Sequence, residues 1–172
     1  MPIVKAGGIN LNYDIFGAGE PLLLIMGFGM PGIAWMPVLP MLSGFKCIYF
    51  DNRGTGTSDK PDAPYTIPEM AEDANNLLTA LDVESAKVYG ISMGGMIAQE
   101  LALRHPDRVS RLVLGCTGAG GPNAVPPAEE TVMSLLGAFK MIATDAEQAI
   151  DTLLPIVHTP DFVALTAAAS RM

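Results

Sequence analysis

Histidine and cysteine are scarce in this 172-residue chain, with two of each, and 10 basic residues face 18 acidic ones for a formal net charge of −8. Two isolated cysteines exclude a disulfide framework and a cysteine-built zinc site. Cys47 lies inside the apolar run Cys47-Ile48-Tyr49-Phe50 and Cys116 follows Leu112-Val113-Leu114, so both are expected to be buried thiols. No Lys or Arg cluster is present to track a phosphate backbone, which argues against nucleic acid as a partner. The acidity reads as a solvated surface rather than a cation site. No apolar run approaches the ~18 residues of a membrane span, and no membrane partner is expected. Met1-Pro2-Ile3-Val4-Lys5 lacks the basic and then apolar layout of a secretory signal, so the expected location is cytoplasmic.

What is present is apolar content, 49% of residues, enough for a single sizeable core. Residues 2–6 and 9–16 predict paired strands around Gly7-Gly8; residues 21–26, 46–50 and 86–91 are short and almost continuously apolar. Such runs suit strands covered on both faces of a parallel sheet. Between them the spacing predicts helices over 34–43, 68–81 and 93–104, with one more strand over 110–115. Pro68 stands in the first turn of the second helix, with Glu69, Glu72 and Asp73 near its positive end. Strands alternating with helices predict an α/β fold, a mainly parallel sheet with flanking helices. Composition changes at Thr117-Gly118-Ala119-Gly120-Gly121-Pro122. Beyond it, 128–154 predicts helix, which Pro155 and Pro160 are expected to end and keep from resuming. The boundaries drawn are 1–121 for the sheet-bearing part and 122–172 for an added, partial helical layer.

Gly90-Ile91-Ser92-Met93-Gly94 fits G-x-S-x-G, directly after a predicted strand and directly before a predicted helix. So sharp a turn strains the serine backbone and needs small residues two before and two after it, which Gly90 and Gly94 supply. Gly95 lets the helix approach the sheet. Ser92 is then either an acyl-transfer nucleophile projected at the carboxyl end of the sheet, or a serine that merely caps the helix. Acyl transfer needs two donors for the developing oxyanion, and the backbone N–H groups of Met93 and of Phe28, in the loop Gly27-Phe28-Gly29, are the candidates. The side chains of Phe28 and Trp35 read equally as packing aromatics or as binding groups.

Four segments, Met26-Gly27-Phe28-Gly29, Asp51-Asn52-Arg53-Gly54-Thr55-Gly56-Thr57-Ser58, Gly90-Ile91-Ser92-Met93-Gly94-Gly95 and His105-Pro106-Asp107-Arg108-Val109, stand in the order and approximate spacing of the α/β-hydrolase fold family. Over residues 1 to about 121 the chain resembles its single-domain serine esterases, lactonases and proline-iminopeptidase-like members. The resemblance implies Ser92 as nucleophile, the Phe28 and Met93 amides as oxyanion hole, and a helical cap or lid beginning near residue 122. Such proteins often carry His before the first glycine, where this chain has Met26. The Asp51–Ser58 segment is read as a turn bracing the loops rather than as chemical. Relatives with dehalogenase or epoxide hydrolase chemistry place Asp at the elbow, which disfavours both here, whereas cofactor-free haloperoxidase activity shares the serine constellation.

In that fold the order is Ser, then Asp or Glu, then His. His105 ends the helix that begins after Ser92, ~18 Å away along 12 residues, too far to be its base. His158 reaches the serine only if the tail folds over it. Cys116 to Asn123 holds no carboxylate, and Asp145, Glu147, Asp151 and Asp161 read as surface acids of the cap. The expectation is an incomplete core, its acid and His supplied by a complementing C-terminal segment, or its exposed sheet covered by self-association. Function is read as hydrolysis of a small-molecule acyl substrate, an ester, lactone or amide, through an acyl-enzyme without metal or organic cofactor. The alternatives are a non-catalytic ligand-binding module and an inactive truncated form of the fold.

Overall fold

Short apolar runs become strands here because alternate side chains find cover on opposite faces. The computed structural model describes residues 1–121, 124–142 and 144–163. Contacts divide the chain into Met1–Ala124 and Val125–Met172. Pro122, Asn123 and residues 164–172, part of the predicted cap, lie outside the described residues.

The first unit holds a six-stranded sheet of β1 (Ile3–Ala6), β2 (Ile9–Phe16), β3 (Glu20–Ile25), β4 (Phe45–Phe50), β5 (Ala86–Ile91) and β6 (Val109–Gly115), in the spatial order β1-β2-β4-β3-β5-β6. β1 and β2 pair antiparallel, β2 pairs antiparallel with β4, and the four remaining strands are mutually parallel. In the centre of the sheet, Leu23 and Ile25 of β3 join Ile48, Phe50 and Val88 on one face, under α1 (Ile67–Ala80) and α2 (Met93–Arg104). Leu22 and Leu24 join Cys47 and Tyr49 on the other face, under Trp35 and Leu39. Each fully buried Leu or Ile of this kind contributes about 1.5–3 kcal/mol.

The helix predicted over 34–43 is replaced by two 3-10 turns, Gly32–Trp35 and Leu39–Leu42. Pro37 and Pro40 have no N–H to donate, and the amides of Ala34, Met36, Val38 and Met41 bond three residues back, to Pro31, Ile33, Trp35 and Val38, at 3.0 Å. Cys47 is buried as expected, but Cys116 is exposed, because β6 is the last strand of the sheet. The same position leaves Leu112, Val113 and Leu114 at 38%, 53% and 43% exposure, where the equivalent side chains of β3 are covered.

The acids at the start of α1 each take a partner. Thr66 and Glu69 form a reciprocal capping box, the Glu69 carboxylate accepting from the Thr66 N–H at 2.8 Å. Asp73, 4% exposed, receives Arg53 through two bonds of 2.6 and 2.8 Å. Glu72 lies 3.0 Å from the ring of His105.

Asp51, at the carboxyl end of β4 and 2% exposed, ties together segments far apart in the chain. One carboxylate oxygen accepts from the Gly32 N–H at 2.7 Å; the other accepts from the Asn12 side-chain amide at 2.7 Å and the Thr57 N–H at 2.9 Å. Its carbonyl accepts the Ser58 hydroxyl at 2.6 Å, and that hydroxyl in turn accepts the Asn12 N–H at 2.9 Å. Asp51–Ser58 is thus a brace between β2, β4 and the loop after β3.

In the second unit α3 (Glu129–Met141) and α4 (Ala146–Val157) pack against each other, burying Ala138 and Ala149. Pro155 does not end α4 as predicted. It removes one backbone bond near the helix end, where the acceptor residue Asp151 is exposed to water, and His158 still donates to Leu154 at 3.0 Å.

Two outcomes are expected. Asp51→Ala leaves three donors without an acceptor, two of them backbone amides, and should lower the unfolding free energy in urea by roughly 3 kcal/mol or more, with Asp51→Asn losing less. The Glu69 carboxyl is held below its ordinary range by its hydrogen bonds to Thr66, with Arg53 adding a smaller attraction. With the folded pKa below the unfolded one, this contribution is present above the unfolded pKa and is lost as pH falls through the folded one. Glu69→Gln should flatten that acid limb in a pH series of thermal melts.

Candidate active site

A serine joining β5 directly to α2 has no room for a conventional turn. Ser92 takes φ 55 and ψ −124, a region disfavoured for any residue with a side chain and costing on the order of 1–3 kcal/mol. The neighbouring glycines make it possible. A Cβ on Gly90 would collide with the Gly94 carbonyl, and one on Gly94 with the Ile25 carbonyl. These two contacts bring the start of α2 against β5 and the end of β3 and turn the serine outward.

Ser92 is exposed, and its side chain makes no capping hydrogen bond to α2. The helix-capping alternative therefore does not describe it. Its backbone is held instead: the N–H donates to the Gly115 carbonyl at 2.9 Å, and the carbonyl accepts from the Gly95 N–H at 2.9 Å. Met93 opens α2, so its amide is among the helix N-terminal groups that have no intrahelical acceptor and favour negative charge.

The loop after β3 lies directly against the serine. A Cβ on Gly27 would stand 3.1 Å from the Ser92 Cβ and 3.6 Å from its Oγ. Gly27 to Met30 closes as a four-residue turn, the Met30 N–H reaching the Gly27 carbonyl at 3.4 Å, with Gly29 at φ 70 in the third position. Phe28 is its second residue and its side chain is 47% exposed, whereas Trp35 is buried beside Tyr89 with ring centroids 5.2 Å apart. Trp35 is therefore a packing aromatic. The loop is clamped at both ends by the brace, since the Asn52 side chain donates to the Met26 carbonyl at 3.0 Å and Asp51 accepts from Gly32. Met26 itself is buried against the second apolar cluster.

The structure thus brings Ser92, Met93 and the Gly27-Phe28 loop together and keeps the first histidine away. His105 caps the far end of α2, with Nε2 3.0 Å from both Glu72 carboxylate oxygens. His158 stacks on Phe162 in the second unit, at 4.2 Å between ring centroids. There Asp145 caps α4 by accepting from the Gln148 N–H at 3.0 Å, and Glu147, Asp151 and Asp161 are exposed. Among the described residues no group of three His, Cys, Asp or Glu is placed to hold a metal, and no helix is long and apolar enough to cross a membrane.

Two residues at the elbow escaped the sequence reading. The Thr117 hydroxyl donates to the Ser92 carbonyl at 2.7 Å, and the Gln99 side chain donates to the carbonyls of Gly95 and Gly118 at 3.1 and 3.0 Å. The available signal was a hydroxyl residue just past the strand that neighbours the elbow strand.

Comparison with known proteins agrees with this geometry. The chain is 41% identical over 115 residues to a putative carbamate hydrolase, RutD, of Azorhizobium caulinodans, covering 66% of this chain and 43% of that protein. It is 43% identical over 126 residues to the 2-hydroxymuconate semialdehyde hydrolase of a Pseudomonas species, covering 69% and 44%. Among solved structures, the enol-lactonase of Burkholderia xenovorans superposes with a TM-score of 0.77 at 30% identity, covering 98% of this chain and 64% of that one. The chain thus spans less than half the length of these curated relatives. Residues 20–146 match the family model for the alpha/beta hydrolase fold, and with an elbow serine set between Gly90 and Gly94 on a mainly parallel sheet, the chain belongs to that family.

Proposed function

We propose that the chain carries the nucleophile half of a serine hydrolase acting on small ester, lactone or amide substrates. The observation that carries this reading is Ser92 at φ 55, exposed, with a side chain that caps nothing and the Gly27 loop packed against it. A serine held in a strained conformation whose hydroxyl makes no capping bond, and no other hydrogen bond among the described residues, is best accounted for by chemistry at that hydroxyl. In the proposed reaction Ser92 Oγ attacks the substrate carbonyl carbon and gives up its proton to a base. The carbonyl oxygen becomes an oxyanion facing the Phe28 and Met93 N–H groups. The leaving group departs with that proton, and water then releases the acyl group from Ser92. No metal or organic cofactor enters this scheme. The names of the relatives, a carbamate hydrolase, a semialdehyde hydrolase and a lactonase, support hydrolysis as the reaction class.

His105 is held by Glu72 at the opposite end of α2, and on this reading the base and its orienting acid come from a complementing segment. The same segment, or a second copy of the chain, would cover the apolar side chains of β6. On this reading residues 1–121 are the N-terminal part of the core, 122–172 are part of a cap, and the location is cytoplasmic.

Denaturing intact-mass spectrometry after exposure of the native preparation to a fluorophosphonate probe should show one adduct on this chain. The adduct should vanish in Ser92→Ala and be accompanied by a second polypeptide containing His. An unmodified chain that still binds an ester analogue would instead establish a non-catalytic ligand-binding module. Gly94→Ala drives a methyl into the Ile25 carbonyl; it should destabilise the fold by about 1–3 kcal/mol and suppress the adduct even where the protein remains folded by circular dichroism.

A further inference from the structure

We infer that Thr117 is a positioning residue that fixes both the direction of Ser92 and the aim of the Met93 amide, with Gln99 as its support. What this positioning accomplishes rests on the nucleophile reading above; the placement itself rests on hydrogen bonds.

A serine at φ 55 and ψ −124 relaxes by rotating the peptide planes on either side of it. The plane before Ser92 is restrained by its N–H bond to the Gly115 carbonyl, at 2.9 Å. The plane after it contains the Ser92 carbonyl and the Met93 N–H. That carbonyl accepts from the Gly95 N–H at 2.9 Å and from the Thr117 hydroxyl at 2.7 Å. In a trans peptide the C=O and the N–H point in opposite directions, so a bond that fixes the Ser92 carbonyl also aims the Met93 N–H. Donation into that carbonyl further polarises the peptide and strengthens its N–H as a donor. Through one hydroxyl, Thr117 acts on the orientation of the proposed nucleophile and on one of its two proposed oxyanion donors.

The hydroxyl is itself held in place. Cys116, at φ 38, turns the chain back over the elbow at the end of β6, and the missing side chain at Gly95 makes the space that Thr117 occupies, since a Cβ there would collide with the threonine side chain. Gln99, one turn along α2 from Gly95, bonds both Gly95 and Gly118, so the residue after Thr117 is tied to the same helix as the residue it faces.

The experiment compares the native preparation of the full 172-residue chain, with any polypeptide that accompanies it, with Thr117→Val, which keeps the shape and removes the donor, and with Thr117→Ser, which restores it. The Met93 amide shift and Gly95 amide exchange are read by NMR, and the fluorophosphonate reaction by its maximal rate and half-saturating concentration. Thr117→Val should displace the Met93 resonance, speed Gly95 exchange about tenfold, and lower the maximal labelling rate about tenfold with half-saturation unchanged; Thr117→Ser should reverse all three. Amides in Thr117→Val that match wild type overturn the inference, as does labelling that is indifferent to the substitution. An amide response in a native preparation that contains the complementing polypeptide and whose wild type is still never labelled upholds the placement and sinks the nucleophile reading instead. Should Thr117→Val fail to fold, Thr117→Ala and then Gln99→Leu are read by the same criteria.

Discussion

A carboxylate sealed from water at the carboxyl end of β4 is the constraint on which the rest of the molecule is arranged. Asp51 is 2% exposed, so every donor it loses is a donor left without an acceptor in a medium that cannot replace it. Its partners come from β2, from the first 3-10 turn and from its own following turn, which fixes three segments relative to one another at one point. Asn52, the next residue, extends the same logic to Met26. Because the loop after β3 is fastened at Met26 and again at Gly32, its tip at Phe28 stands where the sheet puts it. The position of this loop is thus tied to a polar core at both of its ends.

The elbow answers a different constraint. Moving from strand to helix within one residue forces Ser92 into a conformation that its side chain opposes, and no single contact offsets the strain. Glycines at 90 and 94 remove the steric obstacles, and backbone bonds to Gly115 and Gly95 then hold what the glycines allow. The arrangement leaves the hydroxyl out of the structural work. Capping would have been the easier use of a serine at a helix start, and its absence distinguishes this serine from an ordinary N-cap.

Much of this was legible in the sequence where the determinants are local. The ends of α2 at Met93 and Arg104 and of β5 at Ala86 and Ile91 follow from an apolar run meeting a glycine-flanked serine, a pattern contained in a few residues. Prediction failed where a local signal was overridden. Apolar spacing over 34–43 reads as helix, but two prolines reduce the available donors to those that fit 3-10 turns. Pro155 reads as a helix breaker, yet it stands near the end of α4, where the residue whose carbonyl loses its donor, Asp151, is exposed. Cys116 reads as buried because strands that end in Leu-Val-Leu are usually interior, and only the strand order places β6 at an edge. The bonds that position the site lay beyond any local reading: Thr117 meets Ser92 across 25 residues and Asn12 meets Asp51 across 39.

These long-range bonds also explain how the elbow and the loop beside it are well formed independently of any base. Catalysis by a serine needs three things whose physical origins differ: a nucleophile in a fixed direction, donors in a fixed position, and a base that moves a proton. The first two are properties of backbone geometry, and the described groups that hold that geometry around Ser92, from Gly27 through Asp51, Asn52, Gly90 and Gly94 to Gly115 and Thr117, lie within the first unit. The third is a property of one side chain's acidity and reach, and it adds nothing to the backbone bonds that hold the elbow. The strain at Ser92 is therefore borne by the sheet whether or not a histidine is present. A segment supplying that histidine would meet a serine and an amide already oriented, and would have only to bring its ring within hydrogen-bonding distance of an exposed hydroxyl.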